Sequence, residues 1–296
     1  MMKIFVITKK TLIMIAAVLA GIAALAAILI IASKGNGGAG IRETSYPVRP
    51  TEPAPYTAEA VKEPQELTEL NDSYELEVLA GFMKELPVYS VERSDNRVAL
   101  TIDAAWDDDK TPFILETLAR YNVKATFFLC GVWVKAYPEM VKAIYDAGHT
   151  IGNHSMDHPH MTKLSETKIA EQIGSLDDEI ERITGERTVL FRAPFGEYDD
   201  KVIECVRASG HEPIQWDIDT IDWKPERSSQ TILDSVLSKL KSGSIILCHN
   251  NGYKIEEYLP TLIETAQANG YEFVSVNELL LQGETIIDVN GTQKLK

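Results

Sequence analysis

"RVALTIDAAWDDDKTPFILETLARYNVKATFFLCG", residues 97–131, decides the fold. Residues 97–103 are rich in β-branched and apolar side chains and read as a buried strand. Residues 111–121 repeat apolar positions at helical spacing, with Thr111 as a candidate N-cap and Pro112 at the first helical position. "ATFFLCG" reads as a second buried strand. Two buried strands joined by one helix form a parallel βαβ unit. Between the first strand and the helix lie four carboxylates: Asp103, Asp107, Asp108 and Asp109.

The alternation continues on both sides of this unit. Helices are expected over 134–147, 165–184, 199–209, 230–240 and 255–268. Strands are expected at "HTIGNHS", "TVLFRAP", "EPIQWDID", "SIILCHN" and "EFVSV". About seven strands alternating with helices predict an α/β parallel sheet, either closed as a barrel or doubly wound. Polar residues recur at the C-terminal ends of these strands, where barrels place their active sites.

The chain before residue 88 has another character. Lys3, Lys9 and Lys10 precede an uncharged run over 12–32, which as a helix would reach roughly 31 Å. That length suits an uncleaved membrane anchor over 1–34 better than a cleaved signal peptide. The lysines place the N-terminus inside the cell and the rest outside. Residues 35–87 are Gly-, Pro- and acid-rich and read as a flexible tether, with a short helix expected near 76–83. The globular domain is expected over 88–283, with a tail over 284–296. A net charge of −15 argues against a nucleic-acid partner. Cys130, Cys205 and Cys248 are widely spaced, lack a CxxC pattern and read as buried small hydrophobes. Cys248 adjoins His249 on a strand, so the two side chains point to opposite faces.

Four stretches carry chemistry. "GNHSMDHPH" sets His154 and His158 four apart with His160 close behind, a spacing suited to a divalent metal. "FRAPFGEYDD" ends a strand at Arg192, and a buried arginine there calls for a carboxylate. "QWDIDTIDW" holds Asp217, Asp219 and Asp222 between two tryptophans. "IILCHNN" puts His249 at a strand end, where a nearby Asp would orient it as an acid or a base. Taken singly, the last three also fit a surface turn, a solvated acidic loop and a core histidine.

In this order, "ATFFLCG", "GNHSMDH", "RAPFGEY", "DIDTIDW" and "IILCH" resemble the NodB-homology polysaccharide deacetylases, carbohydrate esterase family four. The resemblance spans roughly residues 88–282. "TIDAAW" makes the chain most similar to the membrane-anchored, sporulation-associated branch. The resemblance implies a deformed (β/α) barrel and removal of acetyl from an N-acetylated glycan, peptidoglycan or a related wall polymer. It implies a divalent metal, commonly zinc, held by Asp and two His. Carried over residue by residue, His154 and His158 are metal ligands and Asp103 is the general base oriented by Arg192. His249 is the general acid, set by Asp222. The backbone N–H of Phe195, where the family has Tyr, serves the oxyanion, and Leu247 and Trp223 wall the acetyl pocket.

One departure stands out. The family has two adjacent aspartates at the first strand's end, base then ligand, and here the second position is Ala104. Either one of Asp107–Asp109 replaces it, with Asp108 slightly favoured, or water fills the position, or the metal is held weakly. Equally, the three aspartates form a solvated loop favouring the next helix's N-terminus. The alternative to an enzyme is a degenerate, weak or inactive deacetylase-like protein that binds glycan in wall or spore assembly. A hydrolase of a small cyclic amide suits the anchor and tether less.

Overall fold

The computed structural model describes residues 85–296. The expected anchor, the tether and the short helix near 76–83 lie outside the described residues. Among the described residues no helix is long and apolar enough to cross a membrane.

The decisive stretch folds as expected. Strand β2 (Arg97–Ala104) leads through a loop to helix α1 (Thr111–Arg120) and back to β3 (Thr126–Leu129), parallel to β2. Lys110, not Thr111, is the helix cap residue; Thr111 lies inside the helix and is buried. Alternation along β2 sorts its side chains. Val98, Leu100, Ile102 and Ala104 join the apolar layer beneath the helices. Ala99 joins a separate apolar cluster with Phe128 and Ile245, and Thr101 and Asp103 share its face.

The remaining units are α2 (Gly131–Ala136), α3 (Pro138–Asp146), β4 (Thr150–Asn153), α4 (Glu166–Thr184), β5 (Leu190–Phe191), α5 (Asp200–Ala208), β6 (Glu212–Pro213), β7 (Ile218–Asp219), α6 (Ser229–Leu237), β8 (Ile245–His249), α7 (Ile255–Ala268) and β9 (Glu272–Val274). The single helix expected over 134–147 is two, broken at Tyr137, because Pro138 disfavours helical backbone in the residue before it. The single strand expected at "EPIQWDID" is also two, β6 and β7, and that break closes the fold.

The strands pair in the order β6-β5-β4-β3-β2-β8-β7, all parallel, with β9 also on β2. Laid flat, the two edges would stand roughly 29 Å apart at the usual strand spacing. Yet β6 and β7 are joined by residues 214–217, which extend at most about 17 Å. The sheet must therefore curl until its edges approach, giving a deformed (β/α) barrel. The segment before β2 fills part of the gap: Val88 bridges Ile214, and Ser90 bridges Ser244.

The residues expected as a tail are ordered. β10 (Thr285–Ile287) and β11 (Thr292–Leu295) form a hairpin, and β11 pairs with β1 (Ser90–Val91). This small sheet sits where Gly243 N–H meets the Arg97 carbonyl, at the N-terminal ends of β2 and β8. The short helix α8 (Val276–Leu279) carries a capping box between Ser275 and Glu278.

Candidate active site

The register sets the site. Asp103 on β2 pairs directly with His249 on β8, and Leu129 on β3 pairs with Asn153 on β4, which pairs with Phe191 on β5. Asp103, His249, His154 and Arg192 thus converge at the C-terminal rim of β2, β8, β4 and β5, with β3 between β2 and β4.

Arg192 is fully buried. One of its terminal nitrogens donates to Asp103 Oδ1 at 2.6 Å and to Thr101 Oγ1 at 2.8 Å, and the other donates to the Gln215 carbonyl at 3.0 Å. Its guanidinium carbon lies 4.1 Å from the Phe128 ring centre. Burial lowers the Arg192 pKa, opposed by the Asp103 charge. The pair fixes Asp103 by one oxygen and leaves Oδ2 3.7 Å from His154 Nε2.

The second pair is His249 and Asp222. His249 Nδ1 lies 2.7 Å from Asp222 Oδ1, and the His249 backbone N–H donates to Oδ2 at 3.1 Å. Tyr258 on α7 donates to the same oxygen at 2.6 Å. Burial disfavours the imidazolium, but Asp222, with Asp103 and Asp219 behind it, outweighs burial and pushes the His249 pKa up to about 9. Burial raises Asp219, which has the His249 charge as its main counterweight. Cys248 points away into the apolar layer, and burial pushes its thiol well up; the Cys130 thiol is pushed up to about 11. Neither is a poised nucleophile.

The histidine loop follows β4. His154 Nδ1 lies 2.8 Å from the Arg192 carbonyl, so with Nδ1 as donor its Nε2 carries the free lone pair. His158 lies 5.0 Å from His154, ring centre to ring centre. Burial lowers both pKa values, His158 to about 2 with help from His154 and His249, so both rings are neutral as metal ligation requires. Two neutral imidazoles, one oriented from behind, fit the nitrogen half of a zinc-type site. The oxygen half differs: Ala104 puts a methyl group in the apolar layer, and Asp108 is half-exposed on the loop before α1. Among the described residues, no three His, Cys, Asp or Glu side chains gather into a metal-binding group.

Backbone strain concentrates in these loops. Asp107, Ser155, His158, Phe195 and Ile221 all have φ between 52° and 65°. Each such residue costs about 1–3 kcal/mol and persists only where its surroundings hold it. For Ile221 the hold is its N–H bond to Asp219 Oδ1 at 2.7 Å. For Asp107 it is two donors on one carbonyl, Trp133 Nε1 and Asn250 Nδ2, each at 2.6 Å. Phe195 forms a short turn after Pro194, and its ring lies 4.6 Å from His158. Leu247 shares the interior face with His249, while Trp223 is half-buried beside Asp222 with the Lys224 ammonium 4.9 Å from its ring centre.

Several contributors carry no sequence signal. Thr101, Tyr258, Asn250 and the Gln215 carbonyl are ordinary residues in strand, helix and loop until the fold brings them together. Trp106 lies 4.9 Å from His158, and only the tertiary structure shows that contact.

The family model described as Polysaccharide deacetylase matches residues 90–214. The peptidoglycan-N-acetylglucosamine deacetylase PgdA of Listeria monocytogenes is 36% identical over 194 residues, covering 66% of this chain and 41% of that protein. The structure of PdaA of Bacillus subtilis, a family 4 carbohydrate esterase, superposes with a TM-score of 0.64 at 28% identity, covering 71% of this chain and 90% of that one. A carbohydrate esterase family 4 pseudoenzyme from Bacillus anthracis superposes with a TM-score of 0.63 at 36% identity, covering 66% and 68%. A mutant of that pseudoenzyme is described as having restored enzymatic activity.

Proposed function

The chain belongs to the polysaccharide deacetylase family, and from that membership we propose that it is a zinc-dependent deacetylase of a cell-wall glycan. The supporting observation is the direct pairing of Asp103 with His249 across β2 and β8, each oriented by its own partner, Arg192 or Asp222. A binding protein has no need of an oriented base opposite an oriented acid.

In this reading His154 and His158 hold the metal, which when bound polarises the amide carbonyl and acidifies a water. Asp103 takes the proton from the attacking water. The Phe195 backbone N–H donates to the developing oxyanion. His249, charged at neutral pH, gives its proton to the departing amine nitrogen as the C–N bond breaks. Leu247 and Trp223 wall the acetyl methyl. The products are acetate and a free amine on the sugar. The site faces the outside of the cell, on a single-pass anchor with its N-terminus inside.

A second reading is favoured by Ala104 and by the likeness to a pseudoenzyme: a weak or inactive member that binds glycan in wall or spore assembly. One experiment separates them. Zinc content and acetate release from N-acetylglucosamine oligomers and peptidoglycan are measured for wild type, Asp103→Asn and Ala104→Asp. The enzyme reading expects acetate from wild type, none from Asp103→Asn, and tighter zinc in Ala104→Asp. No acetate from wild type at saturating zinc overturns it, and acetate from Ala104→Asp alone supports the weak or inactive member.

A further inference from the structure

We propose that Asp177, a buried carboxylate on α4 outside the catalytic pairs, is a positioning residue: through Asn153 it sets the shape of the 154–158 loop. That the loop serves a metal through His154 and His158 rests on the function proposed above; that Asp177 sets its shape does not.

The loop needs setting. Ser155 and His158 hold φ of 65° and 56°. Without glycine such backbone is costly and persists only where its surroundings impose it. The bonds that impose it form one chain. The Ser155 N–H donates to Asn153 Oδ1 at 2.9 Å, and the His158 N–H donates to Ser155 Oγ at 3.1 Å. The first bond requires Asn153 to turn its oxygen, not its amide nitrogen, toward the loop. The second requires Ser155 to stay where the first puts it.

Asp177 decides which way the Asn153 amide faces. Asn153 ends β4 and is fully buried. Its Nδ2 donates to Asp177 Oδ1 at 3.0 Å and to the Ile173 carbonyl at 2.9 Å. A flipped amide would set its oxygen against a carboxylate and a carbonyl, and its nitrogen against the Ser155 N–H. A charged acceptor penalises that flip far more than a neutral one. Asp177 is itself held from two other segments. Thr188, before β5, donates to Oδ1 at 2.5 Å, and His211, before β6, has Nε2 3.3 Å from the same oxygen. Burial opposes the Asp177 charge, but the bonds from His211, Thr188 and Asn153 outweigh it and hold the carboxyl below its usual range. The carbonyls of Ser155 and Met156 are held separately, by the N–H groups of Gly131 and Val132 at 3.0 Å each. Those bonds do not involve Asp177. Its loss therefore loosens the two N–H bonds selectively and leaves the loop attached.

The test is amide hydrogen exchange of the full-length, metal-free chain, read at Ser155 and His158 with Ile246 on β8 as reference. Asn153→Asp sets two carboxylates face to face and should speed exchange at Ser155 and His158 about tenfold beyond any change at Ile246. The reversed pair, Asn153→Asp with Asp177→Asn, restores one donor facing one acceptor and should bring both amides within about threefold of wild type. Asp177→Asn alone, which keeps the shape, should speed them about threefold, and it decides the matter if Asn153→Asp does not fold. Thr188→Val removes a different bond to the same carboxylate; it should lower the melting temperature and leave both amides unchanged. Exchange rising equally at Ile246, or a defect that the reversed pair does not repair, would overturn the proposal and leave Asp177 a residue of general stability. Zinc titrated against a chelator should show affinity weakened about 10–100-fold in Asn153→Asp and recovered in the reversed pair. Selective exchange in a wild type that binds no zinc would keep the positioning role and remove the metal reading.

Discussion

At position 103 the carboxylate faces the barrel interior and meets Arg192; at 104 the methyl group lies in the layer beneath the helices. The Asp103–Arg192 pair is buried on both sides, so removing one partner strands a charge. Arg192→Met should lower unfolding free energy by about 3–5 kcal/mol in urea titrations. Arg192→Lys should recover little, because an ammonium cannot serve Asp103, Thr101 and the Gln215 carbonyl from one planar fork. For His249 the pKa is raised from 6.5 to about 9 in the fold. The stability it contributes is complete below pH 6.5 and lost as pH rises through about 9, up to about 3 kcal/mol for the metal-free protein. Titration of its ring protons by NMR should give the raised value, and Asp222→Asn should bring it down toward the ordinary range, since only Asp103 and Asp219 then oppose burial. Asp103, Arg192, Asp222 and His249 were all legible in the sequence because each closes a distinctive motif. Thr101 and Tyr258 were not, because a hydroxyl on a strand or a helix acquires meaning only from what faces it.

At the scale of elements, the loops after the strands do the positioning. The loop after β8 passes so close to Asp222 that a Cβ on Gly252 would stand 2.2 Å from Oδ2. Asp222 cannot yield, since Tyr258 and His249 hold it on both oxygens. Gly252→Ala should therefore cost about 2–3 kcal/mol by thermal or urea unfolding and also lower the His249 pKa toward its ordinary value. The loop after β2 carries Asp107, Asp108 and Asp109. Its structure pins backbone carbonyls, and the Asp107 and Asp109 side chains are exposed to water. Helix and strand positions were readable from periodicity, but the break at Tyr137 and the division between β6 and β7 were not. Apolar spacing continues across both breaks, while Pro138 in one case and barrel curvature in the other interrupt the backbone.

Across the whole described domain, the site occupies the C-terminal rim of the sheet and the β1–β11–β10 sheet the other end. Glu92 N–H bonds the Gln293 carbonyl, Tyr89 N–H bonds the Gly291 carbonyl, and the Tyr89 ring fills the space where a Cβ on Gly291 would stand. Removing residues 284–296 should thus lower the melting temperature by at least about 2 °C, the shift expected in a domain of this size for a loss near 1 kcal/mol or more. The His249 pKa, measured well below that melting temperature, should not change. The polar run of 284–296 gave no sign of this order, because its pairing partner lies some two hundred residues earlier in the chain. The sequence by itself determined the alternation of strand and helix, the face of each strand that is apolar, and the residue types at the strand ends, since these follow from local periodicity and side-chain chemistry. Only the tertiary structure decided that the sheet curls, that Asp103 meets His249 in register, and that Trp106 leans on His158. Those depend on strand order and on contacts between residues far apart in sequence, which no local pattern encodes.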